Sequence, residues 1–197
     1  LATAPIVAVI NNEVPAKSMP ELVALAKQQP GELKYASSGV GTFMHLGGEL
    51  FKLTAGIDLL HVPFRGAAPG GHSQLSFASV PSVITHVRSG KLRAVGVGAL
   101  ARSSVLPDVP TMTEGGVAGY QAANWSGIVA PAGTPAPVVA LLHKEISAIQ
   151  DSAELRKRFA SEGADVVQMS AAEFGAFIAS EHAKWGRVIQ EAKIKPE

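Results

Sequence analysis

Short apolar runs alternate with amphipathic stretches along the first half of this chain. Residues 5–10 (PIVAVI) and 92–97 (LRAVGV) are β-branched runs typical of buried strands. Shorter apolar runs at 33–36, 59–62 and 74–77 predict three further strands.

Helix signals separate these strands. Ser18-x-x-Glu21 is a capping box that predicts the start of one helix, Gly56 predicts the end of a second, and Pro81 suits the first turn of a third. Strands that alternate with helices favour parallel pairing, so the pattern predicts an α/β fold.

The pattern changes after Gly98. Residues 120–130 read as an extended segment, and Thr134 followed by proline predicts the start of a helix. Ser170-x-x-Glu173 predicts the cap of a last helix, whose apolar stripe we interpret as a packing face rather than a ligand contact. The stripe comprises Phe174, Phe177, Ile178, Trp185, Val188 and Ile189.

One strand–helix junction carries the pattern of an anion site. Residues 35–49 (YASSGVGTFMHLGGE) run from a strand through an uncharged Ser/Gly loop into an amphipathic helix. The first N–H groups of a helix have no partner within it, and together with the helix dipole they attract a carboxylate or a phosphate. An ordinary strand–helix turn is the alternative interpretation.

Two well-known phosphate-binding patterns do not fit this junction. A Walker loop requires a lysine after its last glycine, and Thr42 follows Gly41. The dinucleotide fingerprint requires a third glycine where Met44 stands, and Asp58 precedes the next apolar run instead of following it. The junction therefore predicts a small anion rather than a nucleotide.

Composition excludes several function classes. The 197 residues carry 17 basic and 16 acidic side chains, so the chain lacks the basic surplus that nucleic acid or an anionic membrane requires. It has no cysteine, its six histidines show no metal spacing, and we find no pattern of a catalytic nucleophile. We expect no cofactor and no metal.

From the sequence we expect neither a membrane span nor a signal peptide in this chain. No apolar run approaches the ~20 residues of a membrane helix. The apolar segment from Leu1 to Ile10 lacks a basic flank and reads better as a strand. We therefore expect the chain to start in the middle of a fold.

Five segments in order carry a family resemblance over nearly the whole chain. They are YASSGVGTFMHLGGELF, HVPFRGAAP, VPSVITHVRSGKLRAVGV, LPDVPTMTEGGVAGY and NWSGIVAPAGTPAPVV. In this order they resemble the periplasmic solute receptors of tripartite tricarboxylate transporters, the Bug or TctC-type proteins.

The resemblance implies an α/β fold of the type II periplasmic-binding-protein class, with parallel-rich sheets, flanking helices and two lobes. Residues 1–11 would be a crossing strand from lobe 1, 12–122 would form lobe 2, and 123–197 would return to complete lobe 1. A Gly-rich anion loop known from the first lobe of relatives has no counterpart here, so the first lobe is expected to be incomplete.

The resemblance also implies a function without catalysis. The receptor would capture a small organic carboxylate (a dicarboxylate, a tricarboxylate, an amino acid or an aromatic acid) in the periplasm and deliver it to the membrane subunits of a transporter. The rivals are an effector-sensing domain of a transcription regulator, an enzyme on a similar scaffold, and a half-receptor that binds nothing.

Thirteen positions match family positions that line the ligand cleft. They are Ser37, Ser38, Gly39, Val40, Gly41, Thr42, His45, Phe64, Arg65, Gly66, Ala67, Ala78 and Ser79. From the residues alone, the Ser37 and Ser38 hydroxyls either bind a carboxylate or cap the helix, and Arg65 either clamps a ligand or lies at a solvated rim.

The chain departs from its relatives within the expected second lobe. About two helical turns are missing between Pro69 and Gly70, and a parallel crossover that short predicts a break or a disordered segment there. Many relatives carry Asp where Ala78 stands, which removes a partner for a ligand ammonium or hydroxyl.

Overall fold

The computed structural model describes residues 1–64 and 73–195 of the chain. Its strands are β1 (Ala2–Asn11), β2 (Lys34–Ser37), β3 (Leu60–Pro63), β4 (Leu75–Ser79), β5 (Leu92–Val97), β6 (Ala123–Ser126) and β7 (Asp165–Val166). Its helices are α1 (Met19–Gln28), α2 (Phe43–Ala55), α3 (Val80–Arg88), α4 (Ala136–Gln150), α5 (Ala153–Ser161) and α6 (Ala171–Glu191).

The elements predicted from the periodicity form close to their expected limits. Gly56 ends α2 in the left-handed conformation with φ 62°, and Ser170 opens α6 with both hydrogen bonds of a capping box. Helix α4 begins after Pro135 rather than Thr134. The short elements α5 and β7 were not predicted.

The main sheet has the strand order β3-β2-β4-β1-β5 and is mixed rather than parallel throughout. Strand β2 is parallel to β3 and β4, as the alternation of strands and helices predicts. Strand β1 is antiparallel to both β4 and β5. The crossover from β4 through α3 to β5 skips one position in the sheet, and β1 fills it. The α/β class is thereby confirmed.

Strand β1 contributes to the cores on both faces of the sheet. Ile6, Ala8 and Ile10 pack in the cluster that contains α1 and α2, whereas Val7 and Val9 pack in the cluster that contains α3. All five side chains are completely buried. This division follows from the two-residue period of a strand, and it explains why residues 6–10 form a continuous apolar run.

The first residues of β1 belong to a second set of pairings. Ala2–Pro5 pair antiparallel with β6, and Ala2 and Thr3 also pair with β7. One continuous strand thus links the main sheet to the C-terminal elements.

Helices α4 and α5 have no buried residue. The apolar stripe predicted on α6 is only partly packed: Val188 is buried, but Ile178 and Ile189 are 36% and 38% exposed. Exposed apolar side chains also occur on α4, at Val138, Leu141, Leu142 and Ile149.

Among the described helices, none is long and apolar enough to span a bilayer.

Two adjacent glycines let α2 lie close against the sheet. A Cβ on Gly47 would be 2.6 Å from Cδ1 of Ile6, and a Cβ on Gly48 would lie in the Tyr35 ring, 2.7 Å from Cζ. Real Cβ atoms do not approach other atoms this closely. At Gly48 the rigid Tyr35 ring blocks a side chain, whereas at Gly47 the end of the Ile6 side chain would have to shift.

Gly48→Ala should therefore destabilise the protein despite the higher helix propensity of alanine. Overpacking against Tyr35 is expected to lower the free energy of unfolding by about 1–3 kcal/mol. The matched control is Gly175→Ala on α6, where a Cβ meets no atom within 4 Å. It should be neutral or stabilising by up to ~1 kcal/mol. Urea unfolding of both variants checks this, and equal effects would contradict the packing argument.

Candidate anion-binding site

The carboxyl ends of three parallel strands bring most of the predicted site residues to one edge of the sheet. The loop after β2 begins at Ser38, Phe64 follows β3, and Ser79 ends β4. The Phe64 N–H donates to the Ser37 carbonyl at 2.8 Å, which joins the first two of these segments. Edges of this kind are the usual ligand sites of open α/β sheets.

The loop between β2 and α2 depends on two glycines. Gly39 has φ 135° and Gly41 has φ 74°, values that L side chains rarely adopt. They turn the chain sharply, so that Ser38 and Gly41 are exposed while Ser37 is fully buried.

The N-terminus of α2 presents amides without a protein acceptor. Thr42 is the N-cap residue, but its hydroxyl donates to the Gly39 carbonyl at 2.7 Å instead of accepting from the helix. Leu46 is the first helical amide bonded back, to the Thr42 carbonyl. Among the described residues, the amides of Phe43 and Met44 have no acceptor. The first turn contains no acidic residue. The arrangement is suited to an external anion.

The Ser37 hydroxyl is occupied within the loop. It accepts from the Gly39 N–H at 3.1 Å, donates to the Gly39 carbonyl at 3.0 Å, and lies 2.6 Å from Nε2 of His61. Its direct contact with a ligand therefore stays a prediction, whereas its role in shaping the loop is visible.

His45 also bonds to the loop. Its Nδ1 accepts from the Gly41 N–H at 3.0 Å, and its ring stacks on His61 with centroids 3.8 Å apart and planes 10° apart. Since Nδ1 is the acceptor, the proton of the neutral ring lies on Nε2. His45 thus contacts the strand side and the loop side of the junction at once.

A buried polar chain supports the histidine pair from behind. The Tyr35 hydroxyl donates to Oε1 of Glu49 at 2.6 Å, and Lys52 Nζ lies 3.2 Å from the same oxygen. The Tyr35 ring stacks on His61 at 4.9 Å. Burial raises the pKa of Tyr35 well above its usual range, and the bond to Glu49 adds to the effect. Tyr35 therefore acts as a permanent donor.

Burial also keeps both histidines neutral. Desolvation, together with the neighbouring His45 and Lys52, lowers the pKa of His61 to about 4. Desolvation lowers the pKa of His45 as well; Glu49 opposes this shift and Lys52 adds to it. The pair is thus uncharged at neutral pH.

Helix α6 holds the start of α2 from outside the sheet. Phe43, the first residue of α2, packs edge-on against Trp185 with ring centroids 5.4 Å apart. The Glu181 carboxylate accepts from the indole N–H of Trp185 at 2.9 Å and from that of Trp125 at 3.3 Å. These bonds link β6 and α6 to the helix that begins at the loop.

The remaining predicted positions have different outcomes. Ala78 is buried in the core cluster with Val7 and Val80, so only its backbone can face a ligand. Ser79 is the N-cap residue of α3, and its hydroxyl lies 3.2 Å from that of Ser82. Val40 and Phe64 are half-buried. Arg65, Gly66, Ala67 and the Pro69–Gly70 junction lie outside the described residues.

Sequence reasoning missed His61, Tyr35 and Glu49 as parts of this site. Tyr35 lies opposite His61 in the parallel register of β2 and β3, and Ser37 lies two residues further along the same face. The available signal was that side chains alternate between the two faces along β2 and along β3. It shows which residues share a face only once the pairing of the two strands is known.

Two concavities in the described part of the chain lie away from the loop. One of about 600 Å³ lies at the opposite edge of the sheet, beside Asn11, Lys34 and Gln74. The other, of about 170 Å³, lies between Gly98, Trp125 and Lys184. The described residues contain no group of three His, Cys, Asp or Glu side chains arranged as metal ligands.

The low pKa of His61 predicts acid sensitivity of the fold. Between pH 6.5 and about 4, the His61 imidazole is protonated in the unfolded chain but stays neutral in the folded protein. The free energy of unfolding therefore decreases as the pH falls through this window. Because the ring is half-buried, the loss should be on the order of 2 kcal/mol. Chemical unfolding at both pH values measures it. His61→Gln should flatten the slope, and an unchanged slope in that variant would contradict the assignment.

Comparison with known proteins places the chain in a family. The family model described as "Tripartite tricarboxylate transporter family receptor" matches residues 1–194. Protein BugT of Bordetella pertussis is 34% identical over 97% of this chain and 61% of its own length. A UPF0065 protein from the tcbD-tcbE intergenic region of Pseudomonas sp. strain P51 is 34% identical over 98% of this chain and 60% of its own length.

Solved structures show the same likeness. The structure "R. palustris Rpa4515 with adipate" has a TM-score of 0.86 at 30% identity and covers 100% of this chain and 68% of its own. MatC from Rhodopseudomonas palustris with bound malate has a TM-score of 0.80 at 27% identity, covering 96% of this chain and 67% of its own. The periplasmic binding protein BugD has a TM-score of 0.81 at 27% identity, covering 100% of this chain and 68% of its own.

These matches confirm the resemblance and the fold class expected from the sequence. The chain spans about 60% of the length of the curated relatives it matches. Over that span the family model and the solved structures agree. The chain belongs to the TctC family of tripartite tricarboxylate transporter receptors.

Proposed function

We propose that this chain is the ligand-capturing part of a periplasmic receptor that passes a small organic carboxylate to the membrane subunits of a transporter. One observation carries the proposal: in a chain of this family, an uncharged Ser/Gly loop opens α2 and leaves its first amides without a protein acceptor among the described residues. Such amides bind a carboxylate without needing a cationic side chain.

The proposed division into lobes follows the pairing of β1. Residues 12–122 form the lobe that carries the anion loop, whereas 1–11 are the crossing strand and 123–197 return to the other lobe. The pairings support this division, because Ala2–Pro5 pair with β6 and residues from Ile6 onward pair with β4 and β5. Closure of two lobes around the ligand is the motion expected of such a receptor.

Dicarboxylates are the favoured ligand class. Two of the similar structures are described with adipate and with malate, which both carry two carboxylates. In our proposal the α2 loop holds one carboxylate, and the other end of the ligand meets the opposite lobe. A single helix terminus supplies only ~0.3–1 kcal/mol per exposed contact, so the chain alone should bind in the millimolar range or more weakly.

We infer a binding function rather than catalysis. The two histidines at the site are neutral, and each uses one ring nitrogen to hold the loop: His61 bonds the fully buried Ser37 hydroxyl, and His45 bonds the Gly41 N–H. We therefore assign both rings to the structure of the loop rather than to proton transfer. The family match favours a transport receptor over the effector-sensing domain of a transcription regulator.

A charge placed at the loop tests the proposal. Gly41 is exposed and a Cβ there meets no atom within 4 Å, so both Asp and Asn fit. Both substitutions carry the same cost of the positive φ, and they differ only in charge. With malate and adipate in titration calorimetry, Gly41→Asp should weaken binding at least about tenfold relative to Gly41→Asn, because the new carboxylate repels the ligand.

Three results of these titrations would contradict the proposal. Equal affinities of the Asp and Asn variants would place the ligand elsewhere. Absence of binding by the unsubstituted chain at tens of millimolar ligand would favour a half-receptor that binds nothing on its own. Micromolar affinity would mean that the site lies wholly within this chain.

A further inference from the structure

Glutamate takes the same role at three turns of this chain. Glu21, Glu114 and Glu173 each accept a backbone N–H at the start of their turn, from Lys17, Thr111 and Ser170 at 2.8, 2.7 and 2.8 Å. Glu21 and Glu173 stand at the third helical position, where an acidic side chain commonly completes a capping box.

Helix α2 has a histidine at that position. With Thr42 as the N-cap, His45 is the third helical residue, and its Nδ1 accepts from the Gly41 N–H at 3.0 Å. The bond spans four residues, as does the bond from Lys17 to Glu21. His45 thus makes the hydrogen bond that glutamate makes elsewhere, but it adds no negative charge.

The absence of charge matters because of what the loop is proposed to hold. A glutamate here would place its carboxylate beside the first amides of α2 and compete with an external anion for the same positive end of the helix. An imidazole orders the loop and leaves those amides available. The three glutamates, by contrast, accept the backbone N–H of their turns with a charged carboxylate.

Packing keeps the His45 ring oriented and neutral. It stacks on His61, whose Nε2 bonds the Ser37 hydroxyl at 2.6 Å, so the two rings hold both ends of the loop. Among the described residues, the charged groups that face the pair are Glu49, 4.0 Å from His45 Nε2, and Lys52, which bridges Glu49 and Asp58. Tyr35 closes the pair on the strand side.

We propose that His45 is the positioning residue of the carboxylate site: as an uncharged acceptor it holds Gly41 in place and excludes the acidic side chain that would repel the ligand. This inference rests on the proposed function. It assigns to His45 a role through the loop backbone and the sign of the local charge, not a direct ligand contact.

Three substitutions separate this role from simple capping. Glutamine keeps a neutral acceptor, alanine removes the acceptor, and glutamate restores the acceptor with a charge. All three lose the stacking on His61, so they can be compared with one another. We expect malate affinity to fall in the order His45→Gln, His45→Ala, His45→Glu, with His45→Glu at least about tenfold weaker than His45→Gln.

The dependence on salt separates repulsion of the ligand from a structural role. The His45 side chain is buried beside Glu49, so His45→Glu should melt lower than His45→Gln, and a lower affinity alone does not decide the matter. A charge that repels the ligand is screened by salt, so the gap in malate affinity between the two variants should narrow as the ionic strength rises. In titration calorimetry at two salt concentrations, at a temperature where both variants are folded, a gap that salt leaves unchanged would contradict the proposed role.

Failure of this inference is distinguishable from failure of the proposed function. No malate binding by the unsubstituted chain would overturn both. If the unsubstituted chain binds malate, and His45→Glu binds it as tightly as His45→Gln does, only the role of His45 is overturned. If His45→Glu does not fold, His45→Gln is compared with His45→Ala. The inference is then overturned if His45→Gln binds malate no more tightly than His45→Ala.

Discussion

The candidate site depends on one constraint: the first amides of a helix need acceptors, and the described part of the chain supplies none for Phe43 and Met44 at the start of α2. Thr42 turns its hydroxyl to the Gly39 carbonyl, and the first turn carries no acidic side chain. His45 bonds the loop amide of Gly41 without adding charge. The result is a positive helix end that is ordered before any ligand arrives, which is the property a small-anion receptor requires.

The surrounding structure keeps this helix end in place. Gly48 lets α2 approach until the helix touches the Tyr35 ring, and Tyr35 in turn stacks on His61 beneath the loop. From the other side, Trp185 of α6 packs on Phe43 and is held by Glu181. The packing that stabilises the fold and the contacts that shape the loop are thus largely the same contacts.

Much of this could be predicted from local pattern. The alternation of apolar runs and helix signals gave the elements up to β5, and the glycines at 39 and 41 marked the turn before α2. The antiparallel insertion of β1 could not be predicted, because strand pairing is decided by contacts distant in sequence. The His45–His61 stack depends on the pairing of β2 with β3, which is decided by distant contacts in the same way. Helix α5, with no buried residue, has no apolar stripe to reveal it.

The most direct measurement is a crystal structure of the 197-residue chain grown with a high concentration of malate. The account predicts a ligand carboxylate at the N-terminus of α2, with an oxygen about 2.7–3.2 Å from the backbone nitrogens of Phe43 or Met44. The Gly41–His45 bond should be intact in the same structure. A carboxylate bound instead in the concavity beside Asn11 and Gln74, with the α2 amides facing only solvent, would contradict it.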